Sequence, residues 1–156
     1  MSLYFAYGGN TNPFHMLKAY PEAQKVTICT LADFELCFRS HLITYKEPAY
    51  CDLNAQTGST TFGVLYTVTT DDIYRLDKQE MLDEMYERIQ VQVTDVLDNQ
   101  KRYNCFTYKM IHSDLPYNMC SQRYYTIVST GYKYHALPLQ QLNNAYENAY
   151  ETTKST

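Results

Sequence analysis

The sequence lacks tryptophan, and it contains only five glycines, five prolines and five cysteines among 156 residues. It also lacks the run of about 18 apolar residues that a membrane-spanning helix needs, so such a helix is excluded. Residues 1–9 carry no positively charged segment and no long apolar segment, so they do not match a secretory signal. We therefore expect a cytoplasmic protein that contacts no membrane.

The few cysteines and histidines argue against stabilisation by disulfides or metals. The number of cysteines is odd and no C-x-x-C pair occurs, so neither a disulfide framework nor a zinc ribbon is expected. The four histidines include no pair four residues apart, so we expect no metal site. The thiols should be reduced and dispensable for any reaction, with Cys37 and Cys105 the most buried.

Positive charge is also scarce, with 13 Lys and Arg against 17 Asp and Glu and a net charge of −4. An acidic chain has little affinity for a phosphate backbone, so we do not expect nucleic acid as a partner. The length suits one domain, which we assign to residues 1–151 with a polar tail at 152–156. The hydrophobic fraction of 45% excludes a disordered chain.

The pattern of apolar residues predicts both strands and helices. Strands are expected at residues 3–7, 25–40, 50–53, 62–68, 85–96 and 103–110. The second strand should bend at Ala32-Asp33. Residues 44–60 should form a long loop that contains the short third strand. Helices are expected after the capping residues Asn12, Thr69 and Ser121 and after Pro138. In the first helix, Phe14 and Leu17 should face inward. The third helix should end at Gly131. The elements do not alternate strictly, which favours an α+β fold with a mixed, strongly curved, barrel-like sheet and surrounding helices.

Two regions are candidates for function. Gly8-Gly9-Asn10 joins the first strand to the first helix, and two glycines there allow positive φ angles that turn several N–H groups toward one anion. An ordinary tight turn explains the same spacing equally well. Residues 71–87 hold seven acids, for which a solvated face is the simpler explanation, and their spacing singles out none of them.

Five short motifs, taken in order, resemble those of the γ-glutamylcyclotransferases. They are residues 4–10, similar to F-A-Y-G-S-N, then 32–38, 63–66, 76–80 with Tyr86, and lastly Tyr124, Gly131 and 137–138. The matches extend from about residue 3 to residue 150. The resemblance implies a barrel-like sheet with helices packed around it, and no cofactor or metal.

The resemblance also implies a reaction, in which the α-amine of a γ-glutamyl group attacks its own γ-amide carbonyl. The products would be 5-oxoproline and a free amine or amino acid. One carboxylate can take the proton from the attacking nitrogen and return it to the leaving one, and the family places this general acid/base at Glu80. The substrate would be held by Tyr7, Gly8, Gly9, Asn10, Tyr86 and Tyr124.

The chain departs from the family pattern at two places, which bear on the substrate. Gly9 stands where the family usually has Ser, and the bulky segment 132–135 replaces smaller residues. Two alternatives stay open: a relative that acts on γ-glutamyl groups attached to other amines, and a small-ligand-binding module that has lost turnover. The expected partner is a small γ-glutamyl molecule, and the protein is expected to be a monomer or a homodimer.

Overall fold

The computed structural model describes residues 1–40 and 48–154. These residues form five β-strands: β1 (Ser2–Ala6), β2 (Gln24–Arg39), β3 (Tyr50–Val68), β4 (Tyr86–Asp95) and β5 (Arg102–Met110). They also form four α-helices: α1 (Pro13–Ala19), α2 (Thr70–Gln79), α3 (Gln122–His135) and α4 (Leu139–Lys154). A 3-10 turn over Gly9–Thr11 precedes α1.

The strands close into a barrel in the order β1-β3-β2-β4-β5. Neighbouring strands are antiparallel except where β1 lies parallel to β5 and places Tyr4 opposite Phe106. Closure pairs strand edges that would otherwise be open to other chains. The expected α+β fold with a mixed, barrel-like sheet is confirmed.

The long strands β2 and β3 form the largest strand pair of the barrel. A bulge interrupts their register between Ala32 and Phe34, where Asp33 adopts φ 66° and its side chain accepts a hydrogen bond from Gly58 N–H at 3.0 Å. The predicted bend is therefore confirmed. The predicted loop is wrong where β3 continues, because Asn54, Ala55 and Thr60 pair with β2. Residues 56–59 also belong to β3, but they lie at the bulge opposite Asp33 and have no register partner on β2. The part of the predicted loop at 44–47 lies outside the described residues.

The predicted helix starts agree with the structure. The Asn12 side chain accepts from Phe14 N–H at 2.8 Å, Thr69 forms a capping box with Asp72, and Ser121 caps α3. These bonds satisfy backbone donors that have no acceptor inside the helix.

Other predictions about the helices and thiols are wrong. Phe14 and Leu17 are 70% and 44% exposed, and Met16 is the α1 residue buried in the core. Helix α4 continues through Lys154, into the segment assigned to the tail. Cys37 is buried as expected, but Cys29 is more buried than Cys105.

Gly131 lies inside α3 and does not end it, contrary to the prediction. A Cβ atom at Gly131 would lie 2.3 Å from Thr11 Oγ1 and 2.6 Å from the backbone nitrogen of Asn12. A side chain there would push α3 away from the turn before α1. The helix ends instead at Ala136, which adopts the left-handed conformation.

A buried ion pair between Arg39 on β2 and Asp52 on β3 ties the barrel wall together; their side chains are 2% and 0% exposed. Arg39 Nε also donates to the Leu115 carbonyl at 2.7 Å, and Arg39 Nη2 donates to Asn54 Oδ1 at 3.2 Å. Asp52 Oδ1 accepts from Met110 N–H on β5 at 2.8 Å. The pair thus links three strands and the segment that follows β5.

Removing one partner of this pair should be costly. We expect Arg39→Met and Asp52→Asn each to lower the free energy of unfolding by about 3–5 kcal/mol, because each leaves a buried charge without its partner. Urea denaturation measures this change. As a control, Asp71→Asn removes one carboxylate from the exposed pair with Arg75 and should cost about 1 kcal/mol or less. An equal loss of unfolding free energy in the buried-pair variants and in Asp71→Asn would contradict the stabilising role assigned to the Arg39–Asp52 pair.

Candidate active site

The chain leaves β1 and turns at Gly8 and Gly9. Gly8 has φ −120° and ψ −127°, and neither glycine has a positive φ, so the positive φ angles predicted for this loop are wrong. Gly8 is needed for close approach instead: a Cβ atom there would lie 2.9 Å from Cys51 Cβ and 3.2 Å from the Tyr124 hydroxyl oxygen. At Gly9 a Cβ atom would have Tyr124 Cε1 at 3.8 Å, an ordinary contact.

The turn after Gly8 is held by local hydrogen bonds. The Gly8 carbonyl accepts from Thr11 N–H at 3.0 Å and from Thr11 Oγ1 at 2.7 Å, and the Gly9 carbonyl accepts from Asn12 N–H at 3.1 Å. The first N–H groups of a helical turn have no acceptor within that turn. Gly9 and Asn10 also line a cavity, so we predict that their N–H groups bind an anion there.

Side-chain hydrogen bonds join this loop to the end of α2. Gln79 Nε2 donates to Asn10 Oδ1 at 3.2 Å, and the Tyr20 hydroxyl donates to Gln79 Oε1 at 2.6 Å. Asn10 Nδ2 donates in turn to the Tyr4 hydroxyl oxygen at 3.0 Å. Glu80 directly follows Gln79 as the C-cap residue of α2, so these bonds place Glu80 beside the loop.

Glu80 is an isolated carboxyl group facing the cavity. Its side chain is half-buried. The cavity has a larger outer part, which Gly9 and Asn10 line, and a smaller inner part beside Tyr7 and Gly8, and Glu80 lines both. Within residues 1–40 and 48–154, no group donates a hydrogen bond to its carboxylate oxygens. Desolvation raises the pKa of Glu80 to about 7. The group can therefore exchange a proton near neutral pH.

The hydroxyl groups of three tyrosines in the cavity wall are oriented by backbone groups. Tyr86 donates to the Cys51 carbonyl at 2.7 Å and Tyr7 donates to the Tyr108 carbonyl at 2.5 Å, so their oxygens are left as acceptors. The Tyr124 oxygen instead accepts from Cys51 N–H at 3.1 Å. The Tyr124 hydroxyl also hydrogen-bonds the Cys51 side chain, whose sulfur is a weak acceptor that a ligand oxygen can replace. Burial raises the pKa of Tyr7, Tyr86 and Tyr124, so all three stay protonated.

The cavity has an outer part of about 340 Å³ and an inner part of about 40 Å³. All seven residues predicted for the site line one part or both: Tyr7, Gly8, Gly9, Asn10, Glu80, Tyr86 and Tyr124. The structure thus brings together residues from the loop after β1, the 3-10 turn, the end of α2, β4 and α3. Their chemical roles remain predictions.

Several cavity residues were missed by sequence reasoning. Cys51 packs against Gly8 and lines the inner part, although no cysteine was placed near the chemistry. Tyr108 also lines the inner part, and Met85 and Ile127 line the outer part. The alternation of β5 could have identified Tyr108 as an inward residue, whereas no local signal distinguishes the other three.

Neither metal ligands nor a membrane-spanning helix is evident in the part of the chain that the structure describes. No group of three or more His, Cys, Asp or Glu side chains in residues 1–40 and 48–154 is arranged to hold a metal ion. No helix in these ranges is both long and apolar enough to cross a membrane.

Comparisons with known proteins relate the chain to one family. The family model described as "Gamma-glutamyl cyclotransferase, AIG2-like" matches residues 4–133. A Bos taurus protein named "Gamma-glutamylcyclotransferase" is 28% identical over 159 residues, which cover 96% of this chain and 81% of the relative. A solved structure described as "Gamma-glutamyl cyclotransferase" has a TM-score of 0.78 at 25% identity, covering 92% of this chain and 85% of the other. An uncharacterized Homo sapiens protein has a TM-score of 0.77 with the same identity and coverage.

The two loop glycines form a matched pair for testing the site. We expect Gly8→Ala to weaken binding of 5-oxoproline, the product that the resemblance implies, by about tenfold or more, because the new Cβ displaces Cys51 and Tyr124. Gly9→Ala should change binding by about twofold at most, since its Cβ has room. Isothermal titration calorimetry measures both. Equal binding by the two variants would show that the close approach at Gly8 does not shape the site.

Proposed function

The chain belongs to the gamma-glutamyl cyclotransferase, AIG2-like family, and from this premise we propose that it cyclises a γ-glutamyl group into 5-oxoproline and releases a free amine or amino acid. The observation that carries the proposal is the state of Glu80. Its carboxyl group faces a cavity, accepts no hydrogen bond from the described residues and has a pKa raised to about 7. These are the properties of a general acid/base that works near neutral pH.

The inner part of the cavity suits the α-ammonium group of such a substrate. The groups around it are mainly hydrogen-bond acceptors: the Glu80 carboxylate and the oxygens of Tyr7 and Tyr86, whose protons are committed to carbonyl groups. An ammonium group has three N–H donors and no acceptor, so it complements these walls. A carboxylate in the same place would face repulsion from Glu80.

Hydrogen-bond donors lie next to these acceptors. The N–H groups of Gly9 and Asn10 can bind the α-carboxylate of the substrate, as a small anion is bound at the start of a helical turn. The Tyr124 hydroxyl can turn its proton from the weakly accepting Cys51 thiol to the γ-carbonyl oxygen. A donor at this place stabilises the negative charge that develops when the carbonyl carbon is attacked.

The proposed reaction is balanced without water, metal or redox cofactor. Glu80 takes one proton from the α-ammonium, and the resulting amine attacks the γ-carbonyl carbon. A carbon–nitrogen bond forms in the five-membered ring as the bond to the leaving nitrogen breaks. Glu80 then gives this proton to the leaving nitrogen. The Glu80 carboxylate takes the second proton from the ring nitrogen, which leaves the neutral lactam, and passes it to the released amine, which departs as an ammonium ion. Because both reacting groups belong to one molecule, most of the remaining barrier is lowered by holding them in the correct orientation.

Replacing the acid tests the proposal. We expect Glu80→Gln to lower kcat for 5-oxoproline release from γ-glutamyl donors by about 10²–10⁴-fold, because the amide cannot carry the proton. Chromatographic assay of 5-oxoproline across a panel of γ-glutamyl amino acids and amides measures the change. Binding of 5-oxoproline should be affected much less.

Two exposed neighbours provide matched controls, Asp83→Asn and Glu84→Gln. Both remove a carboxylate from the same segment and should leave kcat nearly unchanged. Normal turnover by Glu80→Gln together with loss in either control would mean that the acid is misassigned. No turnover by the wild type on any donor would favour a non-catalytic ligand-binding module.

The raised pKa of Glu80 also predicts a pH dependence of stability. The folded protein holds this proton up to about pH 7, whereas the unfolded chain releases it near the ordinary glutamate pKa of 4.5. The stabilisation by the protonated group is therefore complete below pH 4.5 and is lost as the pH rises through 7. Relative to wild type, Glu80→Gln should become progressively more stable from pH 4.5 to pH 8 in urea denaturation. A constant difference would contradict the raised pKa.

A further inference from the structure

The shape of the cavity determines where the released amine must lie, if the proposed function holds. The inner part, about 40 Å³, is far smaller than the outer part of about 340 Å³. Gly9, Glu80, Tyr86 and Tyr124 line both parts, so the reacting amide lies where the two parts meet. The leaving amine must then extend into the outer part, which has about 340 Å³ of space.

One wall of the outer part is apolar. It is built from Tyr50 at the start of β3, Met81 and Met85 after α2, and Ile127 on α3. Met85 is 8% exposed, whereas Met81 is 44% exposed and lies toward solvent. Methionine side chains are flexible and polarizable, so this wall can fit apolar chains of different shapes.

The opposite wall offers few polar groups to a ligand. The side-chain amides of Asn10 and Gln79 are already hydrogen-bonded to each other and to two tyrosine hydroxyls. Among the described residues that line the outer part, none is Lys or Arg, and the titratable groups other than tyrosines are His15 and Glu80. A carboxylate on the leaving amine would therefore meet no permanent cation among the described residues of this part.

We propose that the enzyme selects γ-glutamyl amides whose leaving amine carries an uncharged, apolar chain over those whose leaving amine ends in a carboxylate. An apolar chain gains free energy from burial against the wall of Tyr50, Met85 and Ile127. A carboxylate in the same position loses hydration without gaining a charged partner, and it lies near the negative charge of Glu80. The preference therefore comes from the outer part of the cavity and not from the reacting groups.

Two substrates that share the same reacting atoms test this inference. The γ-glutamyl amide of n-butylamine and the γ-glutamyl amide of 4-aminobutyrate have the same four-carbon chain, which ends in a methyl group or in a carboxylate. We expect kcat/KM for the butylamide to be higher by about tenfold or more. Equal or reversed values would overturn the inference but leave the proposed function standing, because 5-oxoproline would still form. No 5-oxoproline from either substrate would overturn the inference, and it would overturn the proposed function as well if the panel of γ-glutamyl amino acids also gave none.

A charge added to the apolar wall should change this preference. Ile127→Lys places a cation in the outer part, and it should shift the ratio of kcat/KM toward the aminobutyrate substrate by about tenfold. Thr126→Lys adds the same charge at the next position of α3, which is exposed and does not line the cavity, and should leave the ratio unchanged. Met81→Lys is a second variant at a more exposed site. The apolar wall would be wrongly assigned if Thr126→Lys shifted the kcat/KM ratio as much as Ile127→Lys does. It would also be wrongly assigned if neither Ile127→Lys nor Met81→Lys shifted that ratio.

Discussion

The hydrogen bond between the side chains of Gln79 and Asn10 is the contact on which the candidate site depends most directly. It joins the end of α2 to the loop after β1, two segments far apart in the chain, and it is supported on one side by Tyr20 and on the other by Tyr4. Glu80 is the next residue after Gln79, so the same bond sets the acid beside the N–H groups proposed to bind the substrate. Side-chain amides suit this task because each both donates and accepts.

Two of the few glycines let backbone segments approach each other around this contact. Gly8 allows the loop to touch Cys51 and the Tyr124 hydroxyl, and Gly131 allows α3 to lie against the turn that includes Thr11. Neither requires an unusual φ angle. Both are constrained by the space around them, so even a methyl group would move the tyrosine and the loop apart.

The carboxyl groups of Asp52 and Glu80 have opposite environments and serve opposite purposes. Asp52 has a charged partner in Arg39 and a backbone donor in Met110, so it contributes to the integrity of the barrel wall. Glu80 has no such partner among the described residues, and desolvation raises its pKa to about 7. The unpaired acid costs stability when it is charged, and the same unpaired state makes it able to accept and release a proton.

The sequence alone determined the features that depend on residues adjacent in the chain, because these rest on local hydrogen bonding or on alternation of apolar residues. They are the β4–β5 hairpin, the bend at Asp33 and the helix caps at Asn12, Thr69 and Ser121. The order of the predicted elements indicated the α+β fold, and the motif resemblance added the set of residues around Glu80. The tertiary structure decided that β3 continues past residue 53, because Asn54, Ala55 and Thr60 pair with β2 on either side of the bulge opposite Asp33. It also decided that Gly131 lies within α3 and that Cys51, Met85 and Ile127 line the cavity, because these positions result from contacts between segments distant in the chain.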